Sequence, residues 1–271
     1  MPPDAPGQPV ATTVKANFSL PVGGAALNAS VQLPAGRTTL TELLPIIQNL
    51  ENVLLDKVSS EAAAAGHPIS CRAGCGACCR QLVPINLFEA EALANWLATL
   101  PEERMAVLRD RFGRALAQLR DSGIIDRIVS GSWSLDDLNS TQLAIDYFHA
   151  GVPCPFLENE SCSIHPIRPL ACREYLVTSP PELCKDPSVN DVSGIELPLR
   201  LSRAMFAFGQ EIEQDHRGAM PLVFLLAWAQ SGSRPGDSVA GTGPEVFRKF
   251  LQHVSQYAIH EDSETSPAAS S

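Results

Sequence analysis

The spacing of apolar and polar positions changes period along the chain. Over residues 12–34, Val14, Ala16, Phe18 and Leu20 alternate with Lys15, Asn17 and Ser19, and Leu27, Ala29, Val31 and Leu33 alternate with Asn28, Ser30 and Gln32. This period of two, broken at Gly23-Gly24, predicts a β-hairpin. An isolated hairpin is marginal in water, so it must pack on helices or pair with another chain, which makes it a candidate homodimer contact. From Thr38 the period lengthens. Leu40, Leu43, Leu44, Ile47, Leu54 and Val58 share one face of a helix running toward Gly66, with Pro45 near its start. Asn86-Leu-Phe-Glu89 reads as a capping box opening a helix with the stripe Leu87, Ala90, Ala94, Leu97 and Leu100. Pro101-Glu-Glu opens another, with Met105, Leu108, Phe112, Ala115 and Leu119 on its face and an end at Gly123, and the two are expected to form an antiparallel pair. Further helices are expected from Ser134 through Tyr147, from Pro198 to about His216, from Gly218 to Gln230, and from Pro244 with Phe247, Phe250, Leu251, Val254 and Tyr257 on one face.

Together these elements predict a mainly α fold: a single domain over 12–260, with the hairpin at 12–34, an irregular cysteine-rich metal-binding region at 71–184 and C-terminal helices at 198–260. Seven prolines between Pro153 and Pro187 argue for loop there. The Pro-rich residues 1–11 and the polar tail 261–271 are expected to be disordered.

Composition changes this picture in three ways. A 271-residue chain with 45% hydrophobic residues can build a core without a metal. A net charge of −10 argues against nucleic acid, whose phosphates need a basic face. The longest apolar run, Ala219–Ala229, is about half the ~20 residues a membrane span requires, so no membrane association is expected.

The chemistry lies in the eight cysteines. Four stand in Cys71-Arg-Ala-Gly-Cys75-Gly-Ala-Cys78-Cys79, and Cys154, Cys162, Cys172 and Cys184 follow much later. Thiolates this dense repel one another and resist desolvation, so they require disulfides or a cation. The first residues carry neither a basic n-region nor an apolar h-region, so a cytoplasmic, reducing location is expected, where such spacing favours metal. Cys78 and Cys79 are too close for an easy disulfide and, as successive residues, are expected to point apart. Either they serve different ions, or one ligates while the other supports it or does redox chemistry. Structural zinc and an iron–sulfur cluster such as [4Fe–4S] both fit the thiols. The Cys71-x3-Cys75-x2-Cys78 triplet also matches the radical SAM motif, but helices follow it rather than βα units.

His165 is a candidate nitrogen ligand and His149, close to Cys154, a weaker one. His67, His216, His253 and His260 are expected on solvated faces. Arg80, Arg168 and Arg173 are candidate cofactor-supporting cations, because a tetrathiolate site is net anionic. No phosphate-binding glycine loop, G-x-S-x-G elbow or H-E-x-x-H motif is present, and no catalytic residue is assigned.

The run C-x3-C-x2-C-C, then Val83-Pro84-Ile85, Cys154-Pro-Phe-Leu, Cys162-Ser-Ile-His165 and Arg168-Pro-Leu-Ala-Cys172-Arg173-Glu-Tyr175 resembles the YkgJ-type cysteine-cluster family, described as zinc- or iron-chelating. The match spans roughly residues 71–184. This resemblance implies that Cys71, Cys75, Cys78, Cys79, Cys154, Cys162, Cys172 and Cys184 bind metal. Many relatives carry an aromatic residue where this chain has His165. The expected function is zinc or iron binding with a structural or redox-sensing role. Alternatives are an iron–sulfur enzyme or enzyme component with its cluster at a cleft, and metal delivery or storage.

Overall fold

A computed structural model describes residues 12–22, 25–130, 142–213, 218–232 and 235–264. The expected disorder at 1–11, the Gly23-Gly24 turn, the helix start at Ser134, His216 and the end of the tail lie outside them, as do the side chains of Tyr257 and His260.

In chain order the elements are β1 (Thr13–Val22), β2 (Ala25–Pro34), β3 (Arg37–Thr39), α1 (Leu40–Ala64), β4 (Pro84–Asn86), α2 (Leu87–Leu97), α3 (Glu102–Asp121), α4 (Ile124–Val129) and α5 (Gln142–His149). There follow β5 (Leu157–Glu158), β6 (Ser161–Cys162), α6 (Leu170–Glu174), α7 (Leu201–Glu213), β7 (Ala219–Pro221), α8 (Leu225–Ala229), β8 (Ala240–Thr242) and α9 (Gly243–Glu264). The fold is mainly α with an N-terminal β-hairpin.

β1 and β2 pair antiparallel with Leu20 opposite Leu27. Alternation sends Leu20 and Leu33 fully inward, joined by Ala16, Phe18, Leu27 and Val31. Phe18 meets Phe247 of α9 edge-on at 5.4 Å, so the hairpin's apolar face is covered by the chain's own helices. Beneath it, Leu40, Leu43 and Ile47 of α1, Phe88 of α2, Leu201, Met205 and Phe208 of α7, and Val246, Phe250 and Val254 of α9 form the main core. A second cluster gathers Leu93, Leu97, Leu108, Phe112, Phe156, Ile164, Leu222 and Leu225, and it reaches Cys154 and Cys162.

Two short ribbons close the frame, β3 with β8 and β4 with β7. Thr39 and Glu42 form a capping box at the start of α1, and Asn86 and Glu89 form one at the start of α2. Pro45 sits in the second turn of α1 on its exposed side.

Five expectations are corrected. The Gly218–Gln230 stretch is not one helix. Pro221 has no N–H to continue it, and residues 219–221 pair with β4 before a 3-10 turn and α8. The helix expected from Pro198 starts at Leu201, and α9 runs past His260 to Glu264. α2 turns Phe88, Ala90, Leu93 and Leu97 inward together with Glu89 and Glu91, and it packs on α1 and α8 while α3 packs on α4. The two helices therefore share the second apolar cluster rather than forming a simple pair. His253 is not solvated: its ring stacks on Phe208 at 4.3 Å.

Candidate metal centre

The first cysteine block is a loop tied to the second at separate points. Ser70 donates through its N–H to Val177 O at 2.9 Å and through its hydroxyl to Ser179 O at 2.6 Å. Val177 N–H in turn donates to Cys71 Sγ at 3.4 Å. Gly74 takes the left-handed conformation, φ +85°, and its N–H donates to Ser161 Oγ at 3.1 Å. A Cβ on Gly76 would stand 2.5 Å from Glu160 Oε2, 2.8 Å from Leu157 Cδ1 and 3.2 Å from Glu160 Cα, so any larger residue pushes the loop against the β5–β6 turn. Arg80 fixes that contact, donating to both Glu160 oxygens at 2.8 and 3.0 Å and to Gly76 O at 2.9 Å. A 3-10 turn, Ala77–Arg80, carries Cys78 and Cys79, and Cys154 N–H donates to Cys79 O at 2.7 Å. Distant parts of the chain thus meet at the sulfurs.

All eight cysteines are free thiols. Burial pushes the Cys184 thiol up, and Cys71, Cys75 and Cys78 push it further. Cys71 is raised by burial, opposed by the Val177 N–H, with Cys78 and Cys75 adding. Burial carries Cys154 up to about 12, and Cys162 and Cys78 add to it. Cys172 is raised strongly by burial, then by Cys154, Cys78 and Cys162. The neighbouring Cys79 thiol lowers Cys78 to about 7 against its burial, and Cys78 in turn raises Cys79. Cys79 also feels Cys154 and Cys162.

The three arginines have three settings. Arg168 stands beside sulfurs of both blocks, lowering Cys78, Cys162 and Cys71, and its Nε is buried without a hydrogen-bond partner. Arg80 is taken up by Glu160. Arg173 is only 4% exposed and braces the loop from inside, donating to Arg168 O, Pro166 O and Asn52 Oδ1 at 3.0, 2.6 and 2.8 Å. His165 is exposed, and burial, Arg168 and Arg173 all lower its pKa. His149 turns to Ser188 and Asp186 instead. A small cleft lined by Gln81, Tyr147, Pro155 and Leu222 reaches Cys154.

Sequence reasoning missed the buried acids behind this region. Glu89 accepts from Leu170 N–H and Asn86, Glu174 accepts from Ser202, and Glu51 is wholly buried with neither oxygen hydrogen-bonded. Burial and then Glu174 hold Glu51 well above the usual carboxylate range. The signal was present, because Glu51 lies four residues after Ile47 and three before Leu54, on the apolar stripe of α1.

Among the described residues no three His, Cys, Asp or Glu side chains stand in a cation-coordinating arrangement. The donor set itself, unbridged thiols with Arg168 beside them, fits a soft cation or an iron–sulfur group. Among the described residues no helix is long and apolar enough to cross a membrane. No curated protein and no solved structure matches the chain. Residues 70–191 match the model of the CxxCxxCC family, described as "Putative zinc- or iron-chelating domain". This chain has three residues between Cys71 and Cys75, one more than that name spells, and the left-handed Gly74 is among them. Over these residues, somewhat under half of its length, the chain is similar to this family of zinc- or iron-chelating cysteine-cluster domains.

Proposed function

We propose that the eight cysteines hold zinc or iron in two groups of four, Cys71, Cys75, Cys78 and Cys184 in one and Cys79, Cys154, Cys162 and Cys172 in the other. The observation that carries this reading is the meeting of two blocks far apart in sequence, joined by the 2.7 Å bond from Cys154 N–H to Cys79 O, with every thiol free. The division follows the thiols' mutual influence: Cys184 is affected by Cys71, Cys75 and Cys78, whereas Cys79, though most strongly affected by its neighbour Cys78, is the one of the first block that also feels Cys154 and Cys162. Cys172 shares the latter two neighbours, and Cys78 lies at the seam between the groups.

Bound metal supplies the positive charge that makes adjacent thiolates tolerable, and Arg168 offsets part of the remaining negative charge. The role is structural, or redox-sensing where the guest is an iron–sulfur cluster, and reduced thiols suit the cytosol. Anaerobic purification with metal and sulfide analysis and a visible spectrum tests the reading. Colourless protein with about two zinc ions per chain supports two closed tetrathiolate sites. Brown protein with sulfide supports a cluster. A Cys75→Ala variant with full metal content and unchanged melting would remove Cys75 from the ligand set, and a chain that takes up neither metal would end the proposal.

A further inference from the structure

The two groups of thiols are held very differently. Cys71 is exposed, as are Arg72, Ala73 and Gly74 beside it, and an exposed ion pair, Arg72–Glu182 at 3.8 Å, joins this loop to the turn carrying Cys184, which is the buried member of the group. No helix or strand carries residues 65–76. The other group is built into the fold. Cys154 and Cys162 pack on the cluster of Phe112, Phe156 and Ile164, and Phe156 meets Phe112 at 5.5 Å and Trp96 at 6.2 Å. Glu158, between these two cysteines in sequence, is clamped by Arg104 and Arg111 of α3. Cys172 lies in α6, flanked by fully buried Leu170 and by Glu174, which is bonded to Ser202 at the start of α7. A soft loop can open by local fluctuation, whereas a ligand set packed on a core is freed only by unfolding it.

We infer that the group of Cys71, Cys75, Cys78 and Cys184 is an exchange site, from which the ion leaves while the fold stays intact, and that the group of Cys79, Cys154, Cys162 and Cys172 is permanent. This rests on the two-group reading above. The full chain reconstituted with zinc and mixed with excess colorimetric chelator provides the test, with zinc release followed alongside circular dichroism and hydrogen exchange at 154–174. One equivalent is expected to leave at least tenfold faster than the other without loss of ellipticity, and the second to leave in step with loss of protection at 154–174. Cys184→Ser, or Cys71→Ser should the first fold poorly, is expected to abolish the fast equivalent and leave the slow one. Release of two equivalents in a single phase, or a fast phase that survives both variants, overturns this inference and leaves the two-group reading standing. Uptake of fewer than two equivalents refutes the two-group reading itself.

Discussion

Gly76 and the buried acids show how single residues set the cysteine region. Replacing Gly76 with alanine drives a methyl group into Glu160 and Leu157, and Glu160 Cα stands only 3.2 Å from the new atom. Overpacking of this kind costs about 1–3 kcal/mol. Gly76→Ala is therefore expected to melt earlier and to retain less zinc, both measurable on one purified sample. The acids predict a pH dependence of definite sign. Glu89 is raised to about 7, chiefly by burial, with the N–H groups of Leu170 and Asn86 opposing, and Glu51 is raised well above its ordinary value by burial and Glu174. A carboxyl whose folded pKa is raised contributes stability that is full below about pH 4.5 and is lost as pH rises through the folded value. For Glu89 a shift of this size corresponds to roughly 3 kcal/mol. In metal-free protein, where thiolate–zinc competition with protons plays no part, this contribution to denaturant resistance should be lost between about pH 5 and pH 8. Glu51→Gln, which cannot ionise, should gain on the parent progressively over that range, by on the order of 1–3 kcal/mol at its upper end. A constant difference between the two curves would show that Glu51 does not titrate with the fold.

At the scale of elements, the β5–β6 hairpin is the piece that joins the sulfurs to the helical frame. Its Glu158 receives Arg104 and Arg111 on one side, and its turn receives Gly76 and Arg80 on the other. Because these ion pairs are partly solvated, Glu158→Gln should lower global stability by only about 1 kcal/mol or less. Amide exchange over 155–163 should nevertheless rise several-fold while β1 and β2 are unchanged, and equal protection in parent and variant would show that the clamp is not needed. The elements legible in the sequence are those whose periodicity answers to a single buried face: β1 and β2, α1, α3 and α9, together with the Asn86 box. The run Ala219–Ala229 misled because it is apolar throughout and carries no period, so only Pro221 hinted at the break. Glu89 was legible as a cap and illegible as a buried acid, since its partner Leu170 N–H lies eighty-one residues away. The cysteines themselves announced metal. How the two blocks meet could not be read from spacing, because the contacts run from Val177 N–H to Cys71 Sγ and from Cys154 N–H to Cys79 O.

Taken as a whole, the molecule has a core that does not depend on the sulfurs and a region that does. α1, α7, α9 and the β1–β2 hairpin share one large apolar cluster, which Cys71 to Cys79 lie outside and which the Pro-rich segment enters through Leu170. Structural zinc contributes about 10–16 kcal/mol in finger peptides, as much as the stability of a whole domain. Stripping the metal is thus expected to remove hydrogen-exchange protection from 70–79 and 154–184 while α1, α7 and α9 keep theirs, and uniform loss across the chain would show one cooperative unit instead.

The hydrogen bonds from Cys154 N–H to Cys79 O and from Val177 N–H to Cys71 Sγ also govern how the protein is born. The first four thiols leave the ribosome roughly a hundred residues before the last, and translation at about 5–20 residues per second leaves them waiting about 5–20 s without their partners. During that interval they are open to stray metals and oxidants, so the correct guest can be enclosed only after most of the chain has been made.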